Sequence, residues 1–177
     1  MKVLSLILIV LIAATAAYAQ QTDVHKYVGV DKCKICHKLA LYGDQYDIWA
    51  KSKHAMAYET LAGDEAKKIA AEMKIDDPQK SDKCLSCHVT AYSVADSLKE
   101  ASFSMTQGVE CEECHGPGSD YQKMSVMRSR EKALAAGLIL PDSTTCIQCH
   151  NDKSPTFKSF NYKEMFAKIA HPLPKKE

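Results

Sequence analysis

The sequence predicts a mainly α fold, with helices joined by long loops and little or no β structure. Three observations carry this. Stretches free of glycine and proline place apolar residues three and four apart. Residues suited to capping stand at the starts of these stretches. No run alternates cleanly enough for a strand, apart from a possible short hairpin at 89–105, where Tyr92, Val94 and Phe103 lie among small polar residues.

The elements follow in order. Residues 3–19 form an uncharged run behind Met1-Lys2 and close on Ala17-Tyr18-Ala19, the small-x-small form of a signal-peptidase site. Residues 1–19 are therefore expected to be an export signal. Residues 20–177 then form one mature domain without a transmembrane span, in the periplasm or outside the cell. Residues 44–61 read as one helix stopped by Gly63, with Ile48, Trp49, Ser52, Ala55 and Met56 on one side. Asp64 caps a second helix through Met73, ended at Asp76-Asp77-Pro78. Ser119 caps a helix over 120–136 that stops at Gly137, and Thr144 caps a short turn. Asn161 caps a last helix with Tyr162, Met165, Phe166 and Ile169 on its apolar face, ended by His171-Pro172.

Composition excludes several classes. The chain has 23 Lys+Arg against 22 Asp+Glu, a formal charge of +1 that loss of Lys2 takes to zero, so no cationic surplus is available for a phosphate backbone and no nucleic-acid partner is expected. Seven Gly and six Pro are too few for a fibrous or low-complexity chain. One Trp and four Phe are thin material for a core. The eight cysteines account for that shortage, because all of them fall into four copies of C-x-x-C-H: Cys33-Lys34-Ile35-Cys36-His37, Cys84-Leu85-Ser86-Cys87-His88, Cys111-Glu112-Glu113-Cys114-His115 and Cys146-Ile147-Gln148-Cys149-His150. The motif starts are 51, 27 and 35 residues apart, too uneven for a solenoid.

Cysteines three apart on a helical turn share a face, so two thiols can bond to the two vinyl positions of one porphyrin while the following imidazole points at the iron. That is c-type haem attachment. Disulfides give no reason for a histidine after every second cysteine, and a zinc site gives no preference for that position. Four covalently attached haem c groups are therefore expected on Cys33, Cys36, Cys84, Cys87, Cys111, Cys114, Cys146 and Cys149, with His37, His88, His115 and His150 as proximal iron ligands. The macrocycles then supply much of the buried apolar surface. Their propionates make the oxidised molecule acidic by about four charges. His25, His54 and His171 remain for four distal positions.

Beyond these motifs, Trp49-x-x-Ser52-x-His54-Ala55-x-Ala57, Gly108-Val109-x-Cys111-Glu112-x-Cys114-His115-Gly116-Pro117-Gly118 and Tyr162-Lys163-Glu164-Met165 leading into His171 resemble the tetrahaem cytochrome c-554 family over nearly the whole mature chain. The resemblance implies a periplasmic protein of nitrifying bacteria that accepts electrons from hydroxylamine oxidoreductase, with three bis-histidine haems and a five-coordinate second one. By position it makes His54 the distal ligand of the fourth haem and His171 that of the third. The family's remaining distal histidine follows the Gly-Pro-Gly segment, where this chain reads Ser119-Asp120-Tyr121-Gln122-Lys123-Met124-Ser125. The sixth ligand of the first haem is then His25, Met124, Tyr121 or none, with His25 preferred for its position eight residues before Cys33.

The leading functional expectation is electron transfer between redox partners of a respiratory chain, such as a multihaem oxidoreductase and a downstream cytochrome. Reduction of a small nitrogen or sulfur compound at an open haem, or service as a subunit of a multihaem filament or complex, are the alternatives. Lysines at Lys51-Ser52-Lys53, Lys67-Lys68 and Lys175-Lys176 suit an acidic partner, and Glu110, Glu112 and Glu113 suit a basic one.

Overall fold

The structure, a computed structural model, describes residues 24–171. The expected export signal at 1–19 and Lys175-Lys176 lie outside the described residues. Among these residues there is no strand. Ten short helices run in order: α1 (Val30–His37), α2 (Gln45–Ala50), α3 (Ala57–Thr60), α4 (Asp64–Glu72), α5 (Asp82–His88), α6 (Cys111–His115), α7 (Met124–Met127), α8 (Arg130–Ala135), α9 (Ser143–Ile147) and α10 (Tyr162–Ile169).

The mainly α expectation holds, with local corrections. The expected single helix over 44–61 is two helices parted by turns at 51–56, because the His54 carbonyl accepts from both Ala57 N–H (3.1 Å) and Val109 N–H (2.9 Å) instead of serving a continuous helix. The run over 120–136 is also two helices. Ser129 recaps the chain by accepting from Lys132 N–H, and it starts α8. Gly63, not Asp64, precedes α4, and Asp64 sits in its first turn. Asp142, not Thr144, caps α9, accepting from Thr144 N–H at 2.8 Å. Asn161 caps α10 as expected, accepting from Glu164 N–H. No hairpin forms at 89–105. That segment instead brackets Tyr27, whose N–H donates to Leu98 O and whose carbonyl accepts from Glu100 N–H, both at 2.8 Å.

The apolar interior is small. Leu61, Leu85 and Val89 form its centre, with Tyr58, Ala66, Cys84, Tyr92 and Met105 packed around them, so α3, α4 and α5 converge beside the second C-x-x-C-H motif. Elsewhere large apolar side chains face outward, and Ile35 (70% exposed) and Leu41 (68%) are extreme cases. A chain with so little buried hydrocarbon gains little from its own burial.

Candidate haem-binding site

The helices carry the motifs. α1 holds Cys33, Cys36 and His37, α5 holds Cys84, Cys87 and His88, and α6 holds Cys111, Cys114 and His115. α9 holds Cys146, with Cys149 and His150 in the turn that continues it, where His150 N–H still donates to Cys146 O at 3.0 Å. All eight cysteines are free thiols. Motifs distant in sequence meet through them. Cys33 and Cys111, Cys87 and Cys149, and Cys114 and Cys146 each lie within electrostatic reach of one another. Burial pushes the Cys114 thiol up to about 11, and the Cys33 thiol is raised first by the neighbouring Cys111 and then by burial. Among the described residues no three His, Cys, Asp or Glu side chains converge to hold a bare ion.

The histidines are oriented. His88 Nδ1 lies 2.7 Å from Ala57 O and His115 Nδ1 lies 2.9 Å from Ile139 O. A carbonyl only accepts, so Nδ1 carries the proton in both rings and Nε2 keeps its lone pair for iron. His37 Nδ1 similarly faces Gln45 Oε1 at 3.0 Å, and Gln45 itself donates to Tyr42 O. His150 stacks on Phe160 with ring centroids 4.8 Å apart and planes within 17°.

Two imidazole pairs face each other across sequence separations of 96 and 56 residues. His54 and His150 have ring centroids 6.0 Å apart, and His115 and His171 have them 5.9 Å apart. One iron held between two imidazoles needs about 6 Å, from two metal–nitrogen bonds of about 2 Å and about 1.1 Å inside each ring. Burial lowers the basicity of all four rings, and in His54 and His171 the facing imidazole adds to it, so the neutral, ligating form prevails near pH 7.

Each pair has its own scaffold. The His54 loop is clamped onto the segment leading to α6: Val109 N–H donates to His54 O, and Trp49 Nε1 donates to Val109 O at 2.8 Å. Gly108 (φ +75) makes this approach possible, since a Cβ there would stand 2.6 Å from His54 O and 2.7 Å from Ala55 O. His171 follows directly from α10.

His25 is held differently. Its Nδ1 lies 2.7 Å from Asp120 Oδ2, and this partner holds the Asp120 carboxyl below its usual range. The edge of its ring that carries Nε2 lies against Gly137. Lys26 and Ser119 bond to each other in both directions at 3.1 and 2.9 Å, which fixes the His25 segment against the stretch after Gly118. Of the other candidates for the first haem, Tyr121 is buried and donates its hydroxyl to Gly116 O at 2.6 Å, while Met124 is half exposed at the start of α7.

Chain similarity accords with this geometry. Residues 32–116 match the model of a family described as cytochrome c554 and c-prime. Cytochrome c-554 of Nitrosomonas europaea is 32% identical over 100 residues, 54% of this chain and 40% of that protein. The solved reduced state of cytochrome c554 from Nitrosomonas europaea superposes with a TM-score of 0.52 at 26% identity, covering 82% of this chain and 78% of that one. The chain resembles the cytochrome c-554 family over residues 32–116, just under half of its length. The multiheme cytochrome MtrA of Shewanella baltica is a further relative, 29% identical over 85 residues, 42% of this chain and 25% of MtrA. The chain thus matches 40% and 25% of the lengths of these two curated relatives.

The similarity to multihaem c-type cytochromes accords with haem c cofactors, and the residues present fit them. The imidazole pairs have the required spacing. Apolar side chains that face outward sit in or beside the motifs: Ile35 inside the first, Leu39 and Leu41 just after it, Ile147 inside the fourth, and Ile139 on the residue that orients His115. These are surfaces that a macrocycle held by the motifs would cover.

The glutamates of the third motif do not face a partner, contrary to the sequence expectation. Glu110 and Glu112 are buried. Glu112 accepts from Val28 N–H (2.9 and 3.0 Å), Gly29 N–H (2.7 Å) and Gly118 N–H (2.6 Å), and Glu113 accepts from Ala91 N–H. Sequence reasoning also missed Gln45 and the Ala57 and Ile139 carbonyls. Backbone acceptors leave no trace in residue identity.

Proposed function

We propose that the protein is an exported tetrahaem electron carrier. The observation that supports this reading best is the pair of facing imidazoles at 6.0 and 5.9 Å. Haem supplies a reversible one-electron change at iron, and two imidazoles that stay bound in both states keep its reorganisation small. The chain does the rest. The eight motif cysteines fix the cofactors through thioether bonds, and His37, His88, His115 and His150 bind the irons on the proximal side. His54 completes the fourth haem and His171 the third. Ala57 O, Ile139 O and Gln45 Oε1 hold the imidazole rotations.

His25 is the proposed sixth ligand of the first haem. Asp120 on Nδ1 leaves Nε2, which lies against Gly137, as the atom that would ligate, and the Tyr121 hydroxyl is already engaged. The second haem, on His88, is then five-coordinate. Electrons would pass from a multihaem oxidoreductase to a downstream cytochrome in the periplasm, with residues 1–19 as export signal. No helix of the described residues is long and apolar enough to cross a membrane.

Low-temperature electron paramagnetic resonance of the oxidised holoprotein, with carbon monoxide titrated onto the reduced form, tests the ligand set. Three low-spin centres, one high-spin centre and one carbon monoxide per four haems are expected. Four low-spin centres without a carbon monoxide shift overturn the open second haem, and two or more high-spin centres overturn the assignment of His25. A mediated potentiometric titration should show four reversible one-electron steps.

A further inference from the structure

Glu110 and Glu112 are 2% and 1% exposed, and among the described residues neither forms an ion pair. Their hydrogen bonds are unequal. The Glu112 oxygens take N–H groups from Val28, Gly29 and Gly118, which offset part of the upward push that burial gives its carboxyl. Glu110 Oε2 takes only Val30 N–H at 2.7 Å, and Glu110 Oε1 is buried with no partner. A proton is the simplest ligand for such an oxygen, because it removes a charge that this site cannot solvate.

The placement gives that proton a role. Glu110 directly precedes Cys111, and its carboxyl grips the first residue of α1, three residues before Cys33. Glu112 binds Val28 and Gly29 just before α1 while Glu110 binds Val30 within it, so the carboxyl stands where the first and third motifs meet. The titratable groups facing it are Glu112 on its own helix, Asp31 on α1 and the Cys33 and Cys111 thiols; none supplies a positive charge. Thr90, packed against the same turn, offers only a hydroxyl, which accepts from Glu110 N–H. The local charge of this region is therefore negative or zero, and a further negative charge favours protonation of Glu110.

We infer that Glu110 is a redox-linked proton site of the haem pair on the first and third motifs, binding one proton when that pair is reduced and releasing it on oxidation. The inference rests on the reading that these motifs carry haem. The electron comes from an external donor and stays on iron; the one bond formed is O–H on Glu110, with the proton drawn from solvent. The electron and proton together leave the charge of the buried region unchanged. Burial pushes the Glu110 carboxyl up to about 8, which puts the exchange within an accessible pH range.

The test is a spectroelectrochemical titration of the holoprotein from pH 6 to 9, with redox-difference infrared spectra on the same samples. In the native protein one or two potentials should fall as pH rises, by up to about 59 mV for each tenfold drop in proton activity. A protonated-carboxyl band should grow on reduction near pH 8. E110Q, whose amide oxygen still accepts from Val30, should lose both the band and that slope while keeping all four haems. An unchanged slope in E110Q overturns the proposal and assigns the proton elsewhere. Should E110Q not mature, the native spectra decide alone: a redox-insensitive carboxyl region from pH 6 to 9 overturns it. Failure of the haem reading is distinguishable, since it shows as missing haem in the visible spectrum.

Discussion

Glu112 shows how much one side chain can hold in a chain with little core. Its carboxylate ties the N-terminal approach to α1, at Val28 and Gly29, to Gly118 beyond α6. Glu112→Ala leaves three buried N–H donors without partners, each costing about 1–3 kcal/mol. The variant should lose at least about 3 kcal/mol in denaturant titrations followed by circular dichroism. Glu110 makes an opposite, pH-dependent contribution. Its folded-state pKa lies above the unfolded value, so the folded state binds more protons between the two, and stability falls as pH rises from about 4.5 toward 8. Thermal melts of the reduced holoprotein should show that fall, and E110Q should flatten it. At the ligands, His171→Ala should convert the third haem to high spin and raise carbon monoxide uptake by one equivalent. His54→Ala should do the same for the fourth haem.

At the scale of elements, the breaks between helices place the ligands. The stretch 44–61 carries a helical pattern throughout, yet the chain leaves the helix at 51–56 to present His54, and the cause lies some fifty residues away in Val109 N–H and the close approach of Gly108. Gly108→Val should therefore push the His54 loop outward. One low-spin signal should be lost in paramagnetic resonance while the other haems keep their spectra. α10 is the contrasting case. Its cap, its apolar face and its end were all legible, because Asn161 and the three-and-four spacing act within one helix. The four motifs were legible for the same local reason. What could not be read were effects across distance: the recapping at Ser129, the collapse of 89–105 onto Tyr27, and above all the burial of Glu110 and Glu112, which look like surface charge until their backbone donors are known.

For the whole molecule, the arrangement implies that folding and cofactor attachment are one process. The buried apolar residues form one small cluster and a few isolated contacts, while Ile35, Leu39, Leu41, Ile139 and Ile147 remain outward until something apolar lies against them. The polypeptide produced without haem should show little fixed tertiary structure by near-ultraviolet circular dichroism and should be digested readily by added protease. The mature protein should resist both. The facing imidazoles add to this coupling, since each pair joins chain segments far apart in sequence and an iron bound between the rings, as proposed, would hold them together.

The contact between the Cys33 and Cys111 thiols, and its counterpart between Cys87 and Cys149, has a consequence for assembly. These pairs join different motifs, so a sulfur–sulfur bond in either would disable two attachment sites at once. On the export route proposed above, the newly translocated chain would meet an oxidising compartment before haem fixes its fold, with these thiols still free to pair. Maturation then becomes a race between thioether formation and misoxidation, which a dedicated reductant must bias for every molecule that ends with four haems.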